Sequence, residues 1–426
     1  MQKKKIAIVG AGFAGISACK VLCSSKEVEV DLIDRRNYHL FQPLLYQVAM
    51  AGLNPSDIAI PIRKLFSKNR NVNIILAEVN SVNVKNCEIQ FDEKWNKYDY
   101  LILACGAKHF YFGNDHWEQF APGLKNIEQA TEIRRRVLTA FELAEKAMSK
   151  DEQKKLLTFA VIGGGPTGVE LAGAISEMAS KTLVKDYKNA DLSEVRVLLI
   201  EAGDRILSAF PEKLSKQAEN DLKSMGVEVK KNCRASNLDQ NGFSINNEWI
   251  ECKTILWAAG VRPSSLSKSI DSAKDSQERI IVEKDLSLAG HKNVFVLGDM
   301  ACFQVNKHQS LPGIAPVAIQ QGTFLGNQIL AEIKGYSRKE FNYWDKGIMA
   351  TIGRSKAVVS SNNMHISGLM AWLIWVFIHI VYLMRFKNKF FVFLQWLWSY
   401  FSFGQGARLI IHKSWQFYDG KKINYK

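Results

Sequence analysis

The chain has 426 residues, of which 47% are hydrophobic, and a formal net charge of +14. A chain of this length and composition holds two or three globular domains, each with room for a core. Its seven cysteines are scattered without a CxxC pair. This pattern excludes a disulfide framework, favours reduced thiols and argues against a metal site. Lys3–Lys5 precede an apolar run that glycines interrupt, so we predict a strand instead of a signal peptide and expect a cytosolic N-terminus.

The first predicted strand, Ile6–Val9, leads into the glycine-rich turn GAGFAG and then into a helix. Such glycines permit a tight turn, let the backbone approach a pyrophosphate and bring helix and strand close, while the helix N-terminus attracts phosphate. A second strand, Val28–Ile33, ends in Asp34, where a carboxylate can hold a ribose hydroxyl. The candidate dinucleotide-binding residues here are Gly10, Gly12, Gly15 and Asp34.

Short apolar segments predict the rest of this first unit. We predict a short antiparallel excursion, a set of strands that leaves the main parallel sheet, at Val72–Val79, Val82–Val84 and Glu88–Phe91. Tyr98–Ala104 is typical of a buried strand and ends in a glycine turn at Gly106, where the chain leaves the unit.

A linker at Pro122 and Gly123 precedes a helix predicted over 127–148. This helix carries the basic run Arg134–Arg136. Charge runs most often lie on a solvated helix face, and we expect that here.

The same signature then occurs a second time. A strand over 157–162 leads into GGGPTGVELA, and the next strand, 195–200, ends in Glu201. A carboxylate there favours NADH over NADPH, although Arg205 four residues on weakens that preference. Two dinucleotide units imply two nucleotides, of which the usual pair is a flavin and a nicotinamide. The candidate residues are Gly163, Gly165, Gly168, Glu201 and, after the strand over 254–257, Gly260 as the counterpart of Gly106.

The chain then returns to the first unit. A buried strand over 294–297 ends in Gly298 and Asp299. The Asp299 carboxylate can lie against the ribityl hydroxyls of a flavin, and the alternative is an ordinary turn aspartate. A helix follows, with Pro316 acceptable in its first turn. Gln320 and Gln321 lie near its start, where they can face the isoalloxazine and an electron acceptor.

Two apolar, aromatic segments lie near the C-terminus, Gly368–Met384 and Phe390–Phe403. The first is at the lower limit for a bilayer span, while the second is too short to cross and has the aromatic bias of an interface-lying helix. Its polar residues form one narrow helical stripe, Gln395, Ser399 and Ser402. Three readings stay open: two helices lying on the membrane, a single span by 368–384, or a buried hairpin at a dimer interface. We expect His379 to be a satisfied polar residue instead of a ligand.

Residues 385–426 carry one acid, Asp419, and half of the net charge. A basic tail beside aromatic residues favours an anionic lipid surface, and nucleic acid is the weaker alternative because no reader motif accompanies it. The cations are Arg385, Lys387, Lys389, Arg408, Lys413, Lys421, Lys422 and Lys426.

From Lys5 to about Ile411, the chain resembles type II NADH:quinone oxidoreductases, single-subunit respiratory enzymes that pump no protons. The resemblance is carried by GAGFAG, NYHLFQPLLYQVA, GGGPTGVELAG, LGDMA, APVAIQQG and AWLIWVFIHIVYL. The predicted fold class is α/β, with two Rossmann-like domains of disulfide-reductase type and a C-terminal helical membrane-anchoring region. The FAD domain is predicted at 1–122 and 290–350, the inserted NADH domain at 123–289 and the anchor at 351–426.

The resemblance implies non-covalent FAD at Gly10, Gly12, Gly15, Asp34 and Asp299, and NADH at the second set of glycines and Glu201. Hydride would pass from NADH to flavin N5, and two electrons would then pass to a membrane quinone, ubiquinone or menaquinone. Gln320 and Gln321 are the leading quinone-site residues, although Pro316 replaces the first Gln of the family's AQxAxQ motif. Glu170 resembles an acid near the nicotinamide that helps proton delivery; its alternative is an ordinary first-turn glutamate.

Two rival functions stay open. A sulfide:quinone oxidoreductase needs a cysteine pair near the flavin, and none is evident. A membrane-bound redox-sensing flavoprotein would bind both nucleotides without turnover. The expected location is the cytoplasmic face of the plasma membrane, peripherally attached, and a homodimer is compatible with the hydrophobic C-terminus.

Overall fold

The structure is a computed structural model that describes residues 3–306, 309–362, 364–402, 404 and 406–411. Strands and short helices alternate in its first part. In chain order they are β1 (Lys4–Val9), α1 (Phe13–Leu22), β2 (Val28–Asp34), β3 (Tyr38–Leu40), α2 (Leu45–Ala49), α3 (Pro55–Ile58), β4 (Ala59–Pro61), α4 (Ile62–Leu65), β5 (Val72–Leu76), β6 (Ser81–Asn83), β7 (Glu88–Phe91), β8 (Lys94–Lys97), β9 (Tyr100–Leu103), β10 (Ala107–His109), α5 (Ile127–Lys146) and α6 (Lys150–Leu156).

The second part begins with another strand–helix–strand unit and ends in two helices. Its elements are β11 (Thr158–Ile162), α7 (Pro166–Glu177), β12 (Arg196–Ile200), α8 (Glu212–Ser224), β13 (Val227–Lys230), β14 (Ala235–Ser236), β15 (Gly242–Ile245), β16 (Glu248–Glu251), β17 (Thr254–Trp257), β18 (Val261–Pro263), β19 (Ile280–Ile281), β20 (Ser287–Leu288), β21 (His291–Val296), β22 (Ala301–Cys302), β23 (Gln304–Asn306), β24 (Gln309–Ser310), α9 (Ala315–Ile333), β25 (Ile348–Gly353), β26 (Lys356–Ser361), β27 (Met364–Ser367), α10 (Leu369–Tyr382) and α11 (Phe386–Ser402).

The first sheet has the order β20-β21-β9-β1-β2-β5, and all its neighbours are parallel except β20 and β21. β1, β9 and the end of β21 are continuous apolar runs because helices and loops cover a parallel sheet on both faces, whereas β2 also carries acidic residues. Ile8 of β1, for example, lies opposite Leu32 on one side and Ile102 on the other, and all three are fully buried. Each such side chain contributes about 1.5–3 kcal/mol relative to leaving it exposed.

The second sheet, β13-β12-β11-β17, repeats the order β5-β2-β1-β9 of the first. All its strands are parallel. Two connections join the units, and they run side by side: β10 pairs antiparallel with β18, with Ala107 opposite Pro263 and His109 opposite Val261. The sequence motifs therefore correspond to two copies of one architecture.

Two predicted features of the first unit differ from the structure. The segment 72–79 is no part of the antiparallel excursion, because β5 lies parallel to β2 at the edge of the main sheet. The excursion consists of β6, β7 and β8, and its third strand was not predicted. β20 also joins the first sheet, just before the domain boundary predicted at 290, and the division into domains stays a prediction.

The expectation of a solvated Arg134–Arg136 run is wrong for Arg134. Its side chain is buried, and its guanidinium donates to the backbone carbonyls of Val48, Leu53 and Ala407. Arg135 and Arg136 instead bind Glu132 on the same helix.

The region predicted as a helical anchor from residue 351 begins with strands instead of helices. The strands β25, β26 and β27 form an antiparallel sheet that packs against α7, and α10 and α11 follow it. Among the described residues, no helix is long and apolar enough to cross a membrane. The predicted basic positions beyond residue 411, and Phe403, lie outside the described residues.

Candidate functional site

The first glycine turn joins β1 to α1 in a conformation that only glycine adopts readily. Gly10 has φ = 103°, and a Cβ there would overlap the backbone of Ala104. Gly15 faces the carbonyl of Gly10 in the same close manner. Gly12 is the N-cap of α1 without a side-chain cap, and no atom lies within 4 Å of its Cβ position. The helix N-terminus therefore offers free N–H groups in an open space.

Asp34 closes this turn from the end of β2. Its Oδ2 accepts a hydrogen bond from the Ala11 N–H at 2.6 Å, and its Oδ1 accepts one from the Arg36 N–H at 2.7 Å. Burial raises the pKa of the carboxyl, while these two N–H groups act in the opposite direction. Each carboxylate oxygen has a further lone pair, so holding the turn leaves capacity for a ribose hydroxyl.

A cavity of about 210 Å³ lies beside Asp34. Its size and its mainly apolar walls fit a flat heteroaromatic base. Its lining residues are Arg36, Asn37, Pro61, Arg63, Ile74, Ile75 and Leu76. The open glycine turn, the acid and this cavity together fit the adenosine end of a dinucleotide such as FAD.

The second turn repeats this arrangement. Gly163 has φ = 111°, and Glu201 at the end of β12 accepts from the N–H groups of Gly164 and Gly203, each at 2.7 Å. Gly168 faces the carbonyl of Gly163, as Gly15 faces Gly10. Gly165 is the N-cap of α7, and no atom lies within 4 Å of its Cβ position, as at Gly12.

Arg205 does not pair with Glu201. Its guanidinium donates to the carbonyl of Ser208 at 2.9 Å. The effect of Arg205 on the preference for NADH over NADPH stays a prediction.

Gly106 and Gly260 lie at the two connections between the units. Both have positive φ, 65° and 131°, and each directly precedes one strand of the β10–β18 pair. Because the pair is antiparallel, the two glycines lie at its opposite ends: the Gly260 carbonyl accepts from the Phe110 N–H at 3.2 Å, and the Gly106 carbonyl accepts from the Ser264 N–H at 3.0 Å.

Asp299 follows β21, as predicted, and contacts a cation that the sequence did not single out. Lys125 Nζ lies 3.6 Å from its Oδ2. The turn before it is held by Gln321, a buried residue whose Oε1 accepts the Gly298 N–H at 2.8 Å. Gln321 thus supports the turn that carries Asp299. Lys125 has no motif around it, so no sequence signal identified it.

Gln320 binds the backbone of a distant segment with both ends of its amide. Its Nε2 donates to the Trp344 carbonyl at 2.9 Å and its Oε1 accepts the Trp344 N–H at 3.0 Å. The structure therefore gives Gln320 a local partner, and its contact with a quinone stays a prediction.

Glu170 is the fifth residue of α7 and is partly buried. Burial raises the pKa of its carboxyl to about 8, and the backbone of Thr351 acts in the opposite direction. A carboxyl that keeps its proton near neutral pH can serve as a general acid.

Three further residues near these turns were quoted only as part of a motif. His39 Nδ1 lies 2.8 Å from the Ala11 carbonyl of the first turn, and burial lowers its pKa to about 4. Tyr46 and Gln47 lie on α2, which packs against α7. The signal that contained all three was the stretch NYHLFQPLLYQVA.

All seven cysteines are unpaired. Burial raises the pKa values of Cys105 and Cys252 to about 12, which keeps their thiols protonated. Among the described residues, no group of His, Cys, Asp or Glu side chains could hold a metal ion.

α10 and α11 expose a broad apolar surface, here called the C-terminal apolar face. α11 turns only a narrow stripe toward the body of the protein, with Val392 fully buried and Trp396 partly buried. Of the predicted polar stripe, Gln395 and Ser402 are exposed. The face consists of Leu369, Met370, Leu373, Phe377, Val381, Phe386, Phe390, Phe391, Phe393, Leu394, Leu397, Trp398 and Phe401.

His379 lies on the body-facing side of α10. Its Nδ1 lies 2.7 Å from the Trp375 carbonyl, and the two rings stack at 4.1 Å. Burial lowers its pKa to about 4. This arrangement agrees with the expected satisfied polar residue.

Known proteins are similar to this chain in sequence. A family model described as pyridine nucleotide-disulphide oxidoreductase matches residues 4–322. Two Mycobacterium tuberculosis proteins, the type II NADH:quinone oxidoreductases Ndh and NdhA, are each 38% identical over 96% of this chain and over 90% and 89% of their own. The chain belongs to the type II NADH:quinone oxidoreductase family. A Staphylococcus haemolyticus member is 30% identical over 84% of this chain and 89% of its own.

Solved structures agree with this family at the level of the fold. The structure of NDH2 from Plasmodium falciparum in complex with NADH superposes with a TM-score of 0.86 at 22% identity, over 96% of this chain and 100% of that one. A sulfide:quinone oxidoreductase from Aquifex aeolicus gives a TM-score of 0.74 at 16% identity, over 96% of each chain.

Proposed function

We propose that the chain is an FAD-dependent NADH:quinone oxidoreductase that works at a membrane surface and pumps no protons. The observation that carries the proposal is the duplicated nucleotide turn, in which Asp34 and Glu201 hold equivalent glycine turns. Its family relatives bear the name of this activity.

Each nucleotide has its own set of residues. FAD is assigned to the turn of Asp34, whose neighbouring cavity and open Gly12 position fit it, together with Gly106 and Asp299. NADH is assigned to Gly163, Gly165, Gly168, Glu201 and Gly260. When bound, the flavin supplies the redox chemistry, because it accepts a hydride from a nicotinamide and returns two electrons to a quinone.

The side chains of this chain orient the partners and handle protons. Gln321 holds the Gly298 turn and so fixes Asp299. Gln320 fixes the backbone at Trp344 beside the start of α9. Glu170 holds a proton on its carboxyl near neutral pH, and formation of a quinol consumes protons, so Glu170 is the proposed donor.

The C-terminal apolar face is proposed to lie in the surface of an anionic bilayer. Exposed aromatic side chains such as Trp398 suit the interface, and Arg385 and Lys387 beside them suit anionic headgroups. This location, at the cytoplasmic face of the plasma membrane, brings a lipid-soluble quinone to the protein. The alternative is that a second copy of this chain covers the same face in a homodimer.

The test is an anaerobic half-reaction. One equivalent of NADH is added to the detergent-solubilised flavoprotein, followed by a short-chain quinone, while flavin absorbance is followed. We expect rapid bleaching and rapid recovery on addition of quinone. Bleaching without recovery would refute quinone as the acceptor, and no bleaching would refute the second nucleotide site.

A variant tests the quinone end separately. Gln320→Leu should slow the recovery by quinone roughly tenfold or more, as expected for a lost polar contact of about 1.4 kcal/mol, and should leave bleaching by NADH unchanged. The matched control is Asn327→Leu, an exposed amide on the same helix. Equal recovery rates in both variants would remove Gln320 from the quinone site.

The sulfide:quinone alternative is disfavoured by the cysteines. That chemistry needs two reactive thiols at the flavin, whereas the thiol beside the first nucleotide turn, Cys105, has its pKa raised to about 12 by burial.

A further inference from the structure

A lysine and the carboxylate assigned to the flavin form an ion pair between two distant segments of the chain. Lys125 Nζ lies 3.6 Å from Asp299 Oδ2. The two side chains remain 20% and 25% exposed, although Asp299 follows the buried end of β21. The charged groups of this pair are therefore accessible to a ligand.

The carboxylate of Asp299 keeps unused hydrogen-bonding capacity. Within the described part of the chain, Lys125 is its one ion-pair or hydrogen-bond partner. A carboxylate offers about four acceptor positions, so most of them remain for the hydroxyls of a ligand. A Cβ on Gly313 would lie only 3.2 Å from Asp299 Oδ1, and the glycine therefore leaves room beside that oxygen.

The start of α5 fixes the backbone of Lys125. The N–H of Lys125 donates to Gln129 Oε1 at 2.9 Å, and the N–H of Gln129 donates to Asn126 Oδ1 at 2.8 Å. Asn126 is the N-cap of α5. These two bonds satisfy free N–H groups at the helix start, and they hold the segment from which the Lys125 side chain extends.

His109 lies beside the same segment and carries no charge. Its Nε2 lies 3.2 Å from Gln129 Oε1. Burial, together with the positive charge of Lys125, lowers the pKa of His109 to about 4, so the ring is neutral near pH 7. The positive charge at this segment is therefore that of Lys125.

Lys125 reaches Asp299 from the connection between the two nucleotide units. Just before it, the Pro122 carbonyl accepts the Trp257 N–H at 3.0 Å, which ties the connection to β17 of the second sheet. Asp299 instead follows β21 of the first sheet. The ion pair therefore joins the first unit, at the flavin carboxylate, to a segment that the second unit holds.

The charges at the first nucleotide site show what this cation contributes. The site presents two carboxylates, Asp34 and Asp299, and the pyrophosphate of a dinucleotide is itself anionic. A carboxylate without a counter-ion repels such a ligand, and an ammonium group beside the carboxylate offsets that repulsion. An ammonium group also has three N–H donors, so Lys125 keeps donors beyond the one directed at Asp299.

We propose that Lys125 is a positioning residue for FAD. Its ammonium group holds the Asp299 carboxylate beside the ribityl hydroxyls of the flavin and offsets the negative charge of that carboxylate toward the anionic cofactor. The inference rests on the assignment of FAD to Asp299 in the proposed function.

The first test is Lys125→Met, which keeps a long unbranched side chain and removes the charge. Dilution of the purified holoprotein releases FAD, and the fluorescence of the free flavin gives the dissociation constant. We expect this constant to rise roughly tenfold in Lys125→Met, because a partly buried carboxylate loses its partner. Lys125→Arg keeps a cation and should restore most of the affinity, whereas a role in packing alone would not distinguish the two variants in this way.

A double-mutant cycle tests whether Lys125 acts through Asp299. Asp299→Asn removes the negative charge and should itself weaken FAD binding. In that background Lys125→Met should change the dissociation constant far less than in the wild type, because the two groups act as one pair. Lys125→Gln takes the place of Lys125→Met in the cycle if the latter does not fold.

The matched control is Lys155→Met. It removes a cation from another carboxylate, that of Glu251 at 2.9 Å, in an exposed ion pair. FAD should dissociate from this variant as from the wild type.

Two results would overturn the inference. One is an unchanged dissociation constant in Lys125→Met while Asp299→Asn weakens FAD binding, and the other is an equal effect of Lys125→Met with and without the Asp299 carboxylate. Unchanged FAD binding in Asp299→Asn would refute the assignment of FAD to Asp299, and with it the inference. If the wild type binds FAD but reduces no quinone, the proposed function fails, and the cycle still decides the role of Lys125.

Discussion

Arg134 is a buried cation that binds backbone carbonyls instead of a carboxylate. Its donors reach Val48 at 2.7 Å, Leu53 at 2.8 Å and Ala407 at 3.1 Å. Val48 lies near the C-terminal end of α2, where carbonyls lack helical partners and carry partial negative charge. One guanidinium thus fixes α2, which carries Tyr46 and Gln47, and the chain after α11.

Arg134→Lys is predicted to destabilise the protein by about 2–4 kcal/mol, because one ammonium cannot reach three separate carbonyls and the charge stays buried. The midpoint of thermal unfolding should fall by several degrees. Arg135→Lys is the control, since it keeps a cation beside Glu132 at a partly buried position and should cost only about 0–1 kcal/mol. Equal midpoints for the two variants would contradict this role.

Residues with a local signature were predicted, and those with distant partners were not. Asp34 and Glu201 follow from the spacing of strand, turn and strand. Lys125 gains its role from a contact with a residue 174 positions away, and Arg134 from a partner 273 positions away. A charge run seen in the sequence cannot reveal such contacts.

At the scale of elements, α1 and α9 pack closely through small residues. A Cβ on Gly322 would overlap the carbonyl of Ala14, and one on Gly326 would approach Val21. Since α1 begins at the first nucleotide turn, its position against α9 determines the shape of that turn.

Gly322→Ala is therefore predicted to push α1 from α9 at a cost of about 1–3 kcal/mol and to lower the FAD content of the purified protein. Flavin absorbance per polypeptide and thermal unfolding measure both effects. Asn327→Ala, exposed on the same helix, should retain full flavin. A Gly322→Ala protein with normal flavin content would show that the close contact between α1 and α9 does not control FAD binding.

The elements that the sequence predicted well are the buried parallel strands, because continuous apolar runs followed by glycine identify them locally. β8 and the sheet of β25, β26 and β27 were missed. β8, with the sequence KWNK, and β27, with MHIS, are mostly exposed and lack an apolar pattern. Pairing with neighbouring strands, which a linear pattern does not show, defines them.

At the scale of the whole molecule, the C-terminal apolar face predicts membrane binding. Burying an exposed aromatic side chain contributes about 1.5–3 kcal/mol, so Trp398→Glu should weaken binding to anionic vesicles at least roughly tenfold. Co-sedimentation measures it, and added salt should weaken wild-type binding further. Trp95→Glu, exposed on β8 in the first unit, should bind as the wild type. An unchanged partition accompanied by a change in oligomeric state would instead identify the face as a dimer contact.

The position of β21 has a consequence for how the chain folds during its synthesis. β9 is complete at Leu103, yet its neighbour β21 ends at Val296 and the covering helix α9 begins at Ala315. The strands of the second sheet, by contrast, all lie between Thr158 and Trp257. On the ribosome the inner unit can therefore close first, while the outer one waits with an open sheet edge for nearly two hundred residues. The first sheet, whose first strands are synthesised earliest, is therefore the last to finish folding.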